Sequence, residues 1–303
     1  MDARAGNQRS DNIVIVVVLD AHKLLRLGER DRLDGGTGKK DGGHDALSVD
    51  NRACGRLMRA MGRALICLLL SCCPAIAMVG GAGAPPDSIA RAVVLVVGSR
   101  GNFCTGAALA PDLVLTAAHC VLPGADYKIV EYERGQPQLR DVKSVKVHPG
   151  FNLQSLLAHR ATADVALLKL AAPLESVTPA RLGPTPTVSV GDNLVVAGLG
   201  VAVRGDGKSG GTVRAAELVA TGRPGNLQIR LVDAATLGEK EGLGACTGDS
   251  GAPVFMNGAI IGVVSWSTGP RNSAGCGGLT GVTPLALYRS WITDSAKLLG
   301  NQL

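Results

Sequence analysis

Short apolar runs rich in Val, Leu and Ala recur along this chain from Arg91 onward, and several are stopped by Gly, Pro or Asp. Ala92–Val97 ends at Gly98-Ser99, and Thr105–Ala110 is separated from Leu113–Thr116 by the turn pair Pro111-Asp112. Lys128–Val130, Val142–Val147, Asp192–Gly198, Arg214–Ala220, Leu227–Val232 and Ile260–Trp266 continue the pattern. Runs of this length suit strands rather than helices, and many short strands with tight turns fold as barrels or sandwiches. Pro284–Leu299 differs, because Leu285, Tyr288, Ile292 and Leu298 recur at helical spacing and predict a terminal helix over about 285–299 with these side chains near one face. Pro173, Pro179, Pro184 and Pro186 mark the stretch between them as a connector between two halves. The glycine-rich Arg204–Gly211 reads as a surface loop.

One stretch carries chemistry: Ala245-Cys246-Thr247-Gly248-Asp249-Ser250-Gly251-Ala252-Pro253. Glycines on either side of Ser250 allow a tight turn that bulkier residues resist. They also leave the amides of Gly248 and Ser250 uncovered, so that both can point at one oxygen and hold the charge that develops when a hydroxyl attacks a carbonyl. Such a serine needs a base. Thr116-Ala117-Ala118-His119-Cys120 supplies a histidine after an apolar run, and Ala163-Asp164-Val165-Ala166-Leu167-Leu168 supplies an aspartate at the head of another.

The three blocks, in the order His119, Asp164, Ser250, resemble the chymotrypsin-like serine peptidases, with Val165 and Ala252 standing where the family pattern has Ile and Gly. The resemblance runs over residues 78–303 and implies an exported, bacterial type of member. The implied fold is all-β: two six-stranded antiparallel Greek-key barrels, at about 91–172 and 187–284, and the C-terminal helix. It implies His119 as general base, Asp164 as its orienting acid, Ser250 as nucleophile and the Gly248 and Ser250 amides as the oxyanion site. Ser265 would support the aspartate, and Ser265-Trp266-Ser267 would offer a strand edge to substrate. Gly244 and Ala245 would form the floor of the specificity pocket, with Thr280 near a second place where an acid could stand and Ser267 narrowing the entrance. A cationic side chain would find no carboxylate there, so cleavage after apolar or small residues is expected rather than after Lys or Arg. His148 and His159 are expected to be structural.

Two other readings fit less well. An α/β-hydrolase esterase would place its serine before its histidine within Gly-x-Ser-x-Gly, whereas here position 248 is Gly, 252 is Ala and the order is reversed. A binding protein that kept this fold and lost catalysis commonly lacks a triad member, and all three residue types are present here.

Of eight cysteines, Cys54, Cys67, Cys72 and Cys73 fall in or before an export-like segment, which leaves Cys104, Cys120, Cys246 and Cys276. Four cysteines allow three pairings. The resemblance selects Cys104–Cys120 and Cys246–Cys276, the first closing a loop of about 15 residues worth roughly 3 kcal/mol in the chain-entropy picture. Disulfides imply an oxidising compartment.

Residues 1–57 are charged and glycine-rich and are expected to be disordered or outside the working product, with translation starting at Met58 or Met61. The apolar run Ile13–Leu19 is far short of a membrane span. Residues 58–77 read as a signal peptide: Arg59 and Arg63 as a basic head, Ala64–Cys73 as the apolar middle and Ala75-Ile76-Ala77 as the cleavage site. Leu69-Leu70-Ser71-Cys72 loosely resembles a lipoprotein signal that would lipidate Cys72, but the leucine before Ser71 fits poorly. A cut after Ala77 would free Met78-Val79-Gly80-Gly81, which resembles the start of activated family members, whose amine pairs with the acid before the nucleophile, here Asp249. The product would be a secreted or periplasmic monomer acting on protein or peptide substrates. The net charge of +6 is spread out, with no basic stripe to support nucleic-acid binding. No cofactor is implied, and no metal either, since Glu131 and Glu133 do not match the family's calcium-loop spacing.

Overall fold

The computed structural model describes residues 78–303 apart from 134, 135, 185 and 224. The expectations for residues 1–57 and 58–77, including Cys72, lie outside the described residues. Within them the chain forms two closed antiparallel barrels. The first takes β1 (Val93–Gly98), β2 (Phe103–Ala110), β3 (Leu113–Thr116), β4 (Tyr127–Glu133), β5 (Gln136–Val147) and β6 (Ala166–Leu170), joined in the order β1-β2-β3-β6-β5-β4. The second takes β7 (Asn193–Gly198), β8 (Arg214–Thr221), β9 (Ile229–Val232), β10 (Pro253–Met256), β11 (Ala259–Ser267) and β12 (Thr280–Pro284), in the order β10-β11-β12-β9-β8-β7. Short helices α1 (Asp87–Ala90) and α2 (Leu153–Leu157) and the terminal α3 (Arg289–Leu298) complete the fold.

The expected two-barrel architecture holds, and three of its strands differ from expectation. The sequence pattern starts a strand at Val142, whereas β5 begins at Gln136 and pairs with β4 from Glu133↔Gln136 to Lys128↔Asp141. Its outer half is exposed and polar, so it shows no apolar alternation. β10 and β12 carry no apolar run long enough to stand out. β10 is fixed instead by the two-residue turn Asn257-Gly258, both with positive φ (52° and 73°), between the paired Met256 and Ala259. A loop of this kind matches the twist of an antiparallel pair.

Each barrel has its own core: Val94, Val114, Ile129 and Leu168 in the first, Leu194, Leu218, Leu231 and Val254 in the second. A third cluster joins them, with Leu115, Val165 and Leu167 packed among Leu199, Val263, Leu285, Tyr288 and Ile292. The terminal helix therefore seals the seam between the barrels. Leu298 does not share its buried face, being 77% exposed, because it points away from the stripe of Ile292, Ala296 and Leu299 that packs on the seam. Both expected disulfides form, with Cα separations of 6.1 Å for Cys104–Cys120 and 4.9 Å for Cys246–Cys276.

Removing the Ile292 side chain leaves a cavity at the seam, so Ile292→Ala should cost about 2–5 kcal/mol. Leu298→Ala should change the denaturant midpoint by no more than a few tenths of that, read in the same unfolding experiment.

Candidate active site

His119 lies in a single 3₁₀ turn (Ala118–Val121) directly after β3, and the Cys104–Cys120 bridge anchors this turn to the neighbouring β2. Asn102 Nδ2 donates to the Cys120 carbonyl (3.0 Å) and fixes the same turn from the other side. Asp164 arrives on the tight segment before β6, and it is fully buried.

The Asp164 carboxylate accepts three hydrogen bonds. Oδ1 accepts the His119 backbone N–H (3.0 Å), and Oδ2 faces His119 Nδ1 (2.8 Å) and accepts the Ser265 hydroxyl (2.5 Å). Burial pushes the Asp164 carboxyl upward, but the imidazole beside it and these hydrogen bonds outweigh burial and hold it below the usual carboxylate range. With Nδ1 directed at the carboxylate, the Nε2 edge of His119 is left for chemistry.

Ser250 sits in a turn built from glycines with positive φ, Gly248 (93°) and Gly251 (79°). A Cβ on Gly251 would stand 2.2 Å from Thr116 Oγ1 and 2.3 Å from the Thr105 carbonyl, and one on Gly248 would stand 2.1 Å from the Phe103 ring. Bare backbone is thus what lets this turn press against β2 and the end of β3, three residues before His119. Thr105 clasps it: its N–H donates to the Ser250 carbonyl (2.8 Å), and its hydroxyl donates to the Gly248 carbonyl (2.8 Å) and accepts from Leu199 N (3.1 Å). Ser250 Oγ and His119 Nε2 are not hydrogen-bonded to each other here. In free enzymes such bonds are often long and tighten when substrate binds. Among the described residues the Gly248 and Ser250 amides donate to no acceptor, whereas the Asp249 and Gly251 amides are taken by the Cys246 and Val264 carbonyls.

The other expected site residues converge on one wall. The Ala245 amide donates to Thr280 Oγ1 (3.0 Å), a Gly244 Cβ would stand 3.4 Å from that oxygen, and Ser267 pairs with Thr280 across β11–β12. Trp266 pairs with Gly281, whose missing side chain leaves room for the indole. The other face of the indole stacks on His159, with ring centroids 4.6 Å apart and planes 9° from parallel. His159 was expected to be structural, yet it reaches from the first barrel's loop onto the second barrel beside Ser265. A lone histidine in a polar loop carries no sequence signal for that contact. His148 packs edge-on against Tyr288 and Trp291, with centroids 5.0 and 4.9 Å away.

Met78 and Val79 are buried in the second barrel, and Val79 forms an antiparallel bridge with Gly244. Asp249 is completely buried, accepting Gly200 N and Cys246 N at 2.9 Å each. Burial pushes its carboxyl up to about 7, against the two backbone hydrogen bonds that favour the charged form. Cys104, His119 and Cys120 come close enough to suggest a metal centre, but both sulfurs are spent in the disulfide. Glu131 is likewise occupied, facing Arg140 Nε (2.7 Å) and accepting from the amides of Glu175 and Ser176.

The family model described as Trypsin matches residues 78–292. The chain belongs to the trypsin family. Trypsin-3 of Salmo salar is 29% identical over 209 residues, spanning 64% of this chain and 83% of the relative. Human kallikrein-15 is 32% identical over 221 residues, spanning 65% of this chain and 83% of the relative. Among solved structures, human heparin binding protein aligns with a TM-score of 0.57 at 25% identity, covering 71% of this chain and 95% of that one. The chain is a hydrolase of the serine endopeptidase class. No helix among the described residues is long and apolar enough to cross a membrane.

Thr105→Val keeps the shape of the clasp but leaves the buried Leu199 amide without an acceptor. It should cost about 1–3 kcal/mol in denaturant unfolding.

Proposed function

We propose that this trypsin-family chain is an exported endopeptidase in which Ser250, His119 and Asp164 act as one unit. Ser250 Oγ attacks the scissile carbonyl while its proton passes to His119 Nε2. The oxyanion is received by the free amides of Gly248 and Ser250. The tetrahedral species collapses as His119 returns the proton to the leaving amine, giving an acyl-enzyme, and water repeats the sequence to release the acid. Asp164 keeps Nδ1 protonated and stabilises the imidazolium. The observation that carries this reading is the His119–Asp164–Ser265 chain of hydrogen bonds beside a glycine turn with two unused amides. A fluorophosphonate should label Ser250 in a His119-dependent manner. Asp164→Asn should lower kcat by about four orders of magnitude. Absence of labelling in folded protein would overturn the assignment.

The preference for apolar or small side chains at P1 is part of the proposal. The relatives include trypsins, but Gly244, Ala245, Ser267 and Thr280 bring no carboxylate to the wall where a cationic side chain would need one. Gly244→Asp should raise cleavage after Lys and Arg at least ~10-fold relative to the unaltered protein, one buried ion pair's share of selectivity. A peptide-library profile dominated by Lys or Arg in the unaltered protein would refute the preference.

The proposal extends to a mature start at Met78, made by a cut after Ala77, with the new amine paired to Asp249. Met78 packs among Ala245 and Ala252, on either side of Asp249. While residue 78 is held in a peptide bond, Asp249 has a folded pKa of about 7 against an ordinary 3.8. A raised carboxyl stabilises fully below the lower value, and that contribution is lost as pH rises through about 7. The free amine offsets the loss, because its own pairing holds until pH passes its raised folded value, above the ~7.7–8.0 of an unpaired amine. The chain with an acetylated Met78 should therefore lose stability between about pH 4 and pH 7 relative to the chain with a free Met78. Superimposable stability–pH curves would exclude the pair.

A further inference from the structure

The loop between β7 and β8 presents a cation that the proposed chemistry does not use. Its base hangs from the nucleophile segment, since Val201 N donates to the Thr247 carbonyl (2.9 Å). Ser209 holds the loop in shape by accepting the amides of Ala202 (3.1 Å) and Val203 (3.0 Å) and donating to the Asp206 carbonyl (2.6 Å). Arg204 projects from this frame onto Gly275. A Cβ on Gly275 would stand 2.7 Å from Arg204 Nη1 and 3.1 Å from Cζ, so the guanidinium lies on bare backbone where any side chain would displace it. Gly275 also has a φ of 142°, which disfavours other residues there.

That patch of backbone belongs to the substrate wall. Gly275 precedes Cys276, which is bonded to Cys246, and Gly277 Cα lies 3.3 Å from where a Gly244 Cβ would stand. Arg204 is exposed and, among the described residues, has neither a hydrogen-bond nor an ion-pair partner. Asp206 Oδ1 in the same loop accepts the Lys208 amide (3.0 Å), and no ion pair joins Asp206 to Arg204. The stem of Glu241 lies against Gly277 on the same wall, and no ion pair joins it to Arg204. An unpaired guanidinium lying over the backbone beside a cleft can act as an electrostatic selector: it favours carboxylates by paired N–H···O contacts and repels cations.

We propose that Arg204 is a specificity-determining residue, a cation beside the Cys246–Cys276 bridge that selects polypeptide substrates with an acidic side chain flanking the scissile bond. The inference deepens the endopeptidase reading, because it assigns the substrate class of the same cleft. It accounts for the uncharged pocket floor together with a charged rim, a pairing that leaves P1 apolar or small and places the charge requirement on a neighbouring position.

The test separates binding from turnover. The full chain is expressed and the exported product purified in two backgrounds, unaltered and Ser250→Ala. Peptide libraries carrying Asp, Asn or Lys at each position around the scissile bond are measured for cleavage by the first and for equilibrium binding to the second. One position should prefer Asp over Asn about 5-fold in binding, less so at high salt, as for a partly exposed charge pair. Arg204→Ala should abolish that preference. Arg204→Glu should turn it into a preference for Lys at the same position. Equal binding of Asp and Asn peptides throughout, or an acidic preference that survives Arg204→Glu, would overturn the assignment. If the unaltered protein cleaves nothing while Ser250→Ala still discriminates through Arg204, the endopeptidase reading falls and the selector stands.

Discussion

The buried carboxylate of Asp164 is the point at which the two barrels become one device. It comes from the first barrel, orients a histidine on that barrel, and takes its remaining hydrogen bond from Ser265 on the second. A charged group with no exposure to water is costly unless its lone pairs are satisfied, and here three donors supply that satisfaction. One of them crosses the seam. The relative placement of the barrels is therefore tied to the solvation of this side chain as well as to the apolar seam and the Thr105 clasp. The stack of His159 on Trp266 closes the same seam one residue further along β11 and stiffens the approach of the loop that delivers Asp164.

Glycine and threonine do the complementary work at Ser250. Four glycines sit where any Cβ would collide: Gly248 against Phe103, Gly251 against Thr116, and Gly198 and Gly200 against the Asp249 carboxylate. Their absence of side chain, more than their freedom of φ, brings three strands within hydrogen-bond range of one turn. Thr105 then uses both its hydroxyl and its amide to hold that turn to the first barrel. Ser250, although part of the second barrel by sequence, is held by the first as well.

Much of this was legible in the residues. The blocks around His119, Asp164 and Ser250 announced themselves, because a nucleophile turn demands small residues at fixed offsets and a base demands an imidazole near a buried acid. Strands with uninterrupted apolar runs, such as β1, β3, β6 and β11, were legible because burial on the barrel interior selects Val, Leu and Ile. β12 was not, for it reads Thr-Gly-Val-Thr-Pro, and its complete burial follows from pairing with β9 and β11 rather than from its own hydrophobicity. The outer half of β5 was hidden for the opposite reason, since its side chains face water and only the backbone ladder to β4 defines it. Contacts made through a missing side chain, such as Arg204 on Gly275, have no local pattern at all. They become visible only when two loops distant in sequence meet.

The Asp249 carboxyl shows why such meetings matter. It lies in a socket floored by Gly198 and Gly200, beside a strap in which Gly80 crosses the Gly242 backbone and Val79 bridges to Gly244. The strap, the Gly244 segment and the Asp249–Ser250 turn are thus neighbours in one stack of backbone. A charge change at Asp249, which is completely buried, is felt first at the Gly200 and Cys246 amides that donate to it. Those amides belong to the base of the Arg204 loop and to the disulfide beside the pocket. The electrostatic state of one buried acid therefore bears on the turn that holds Ser250 and on the loop that carries Arg204, through backbone hydrogen bonds.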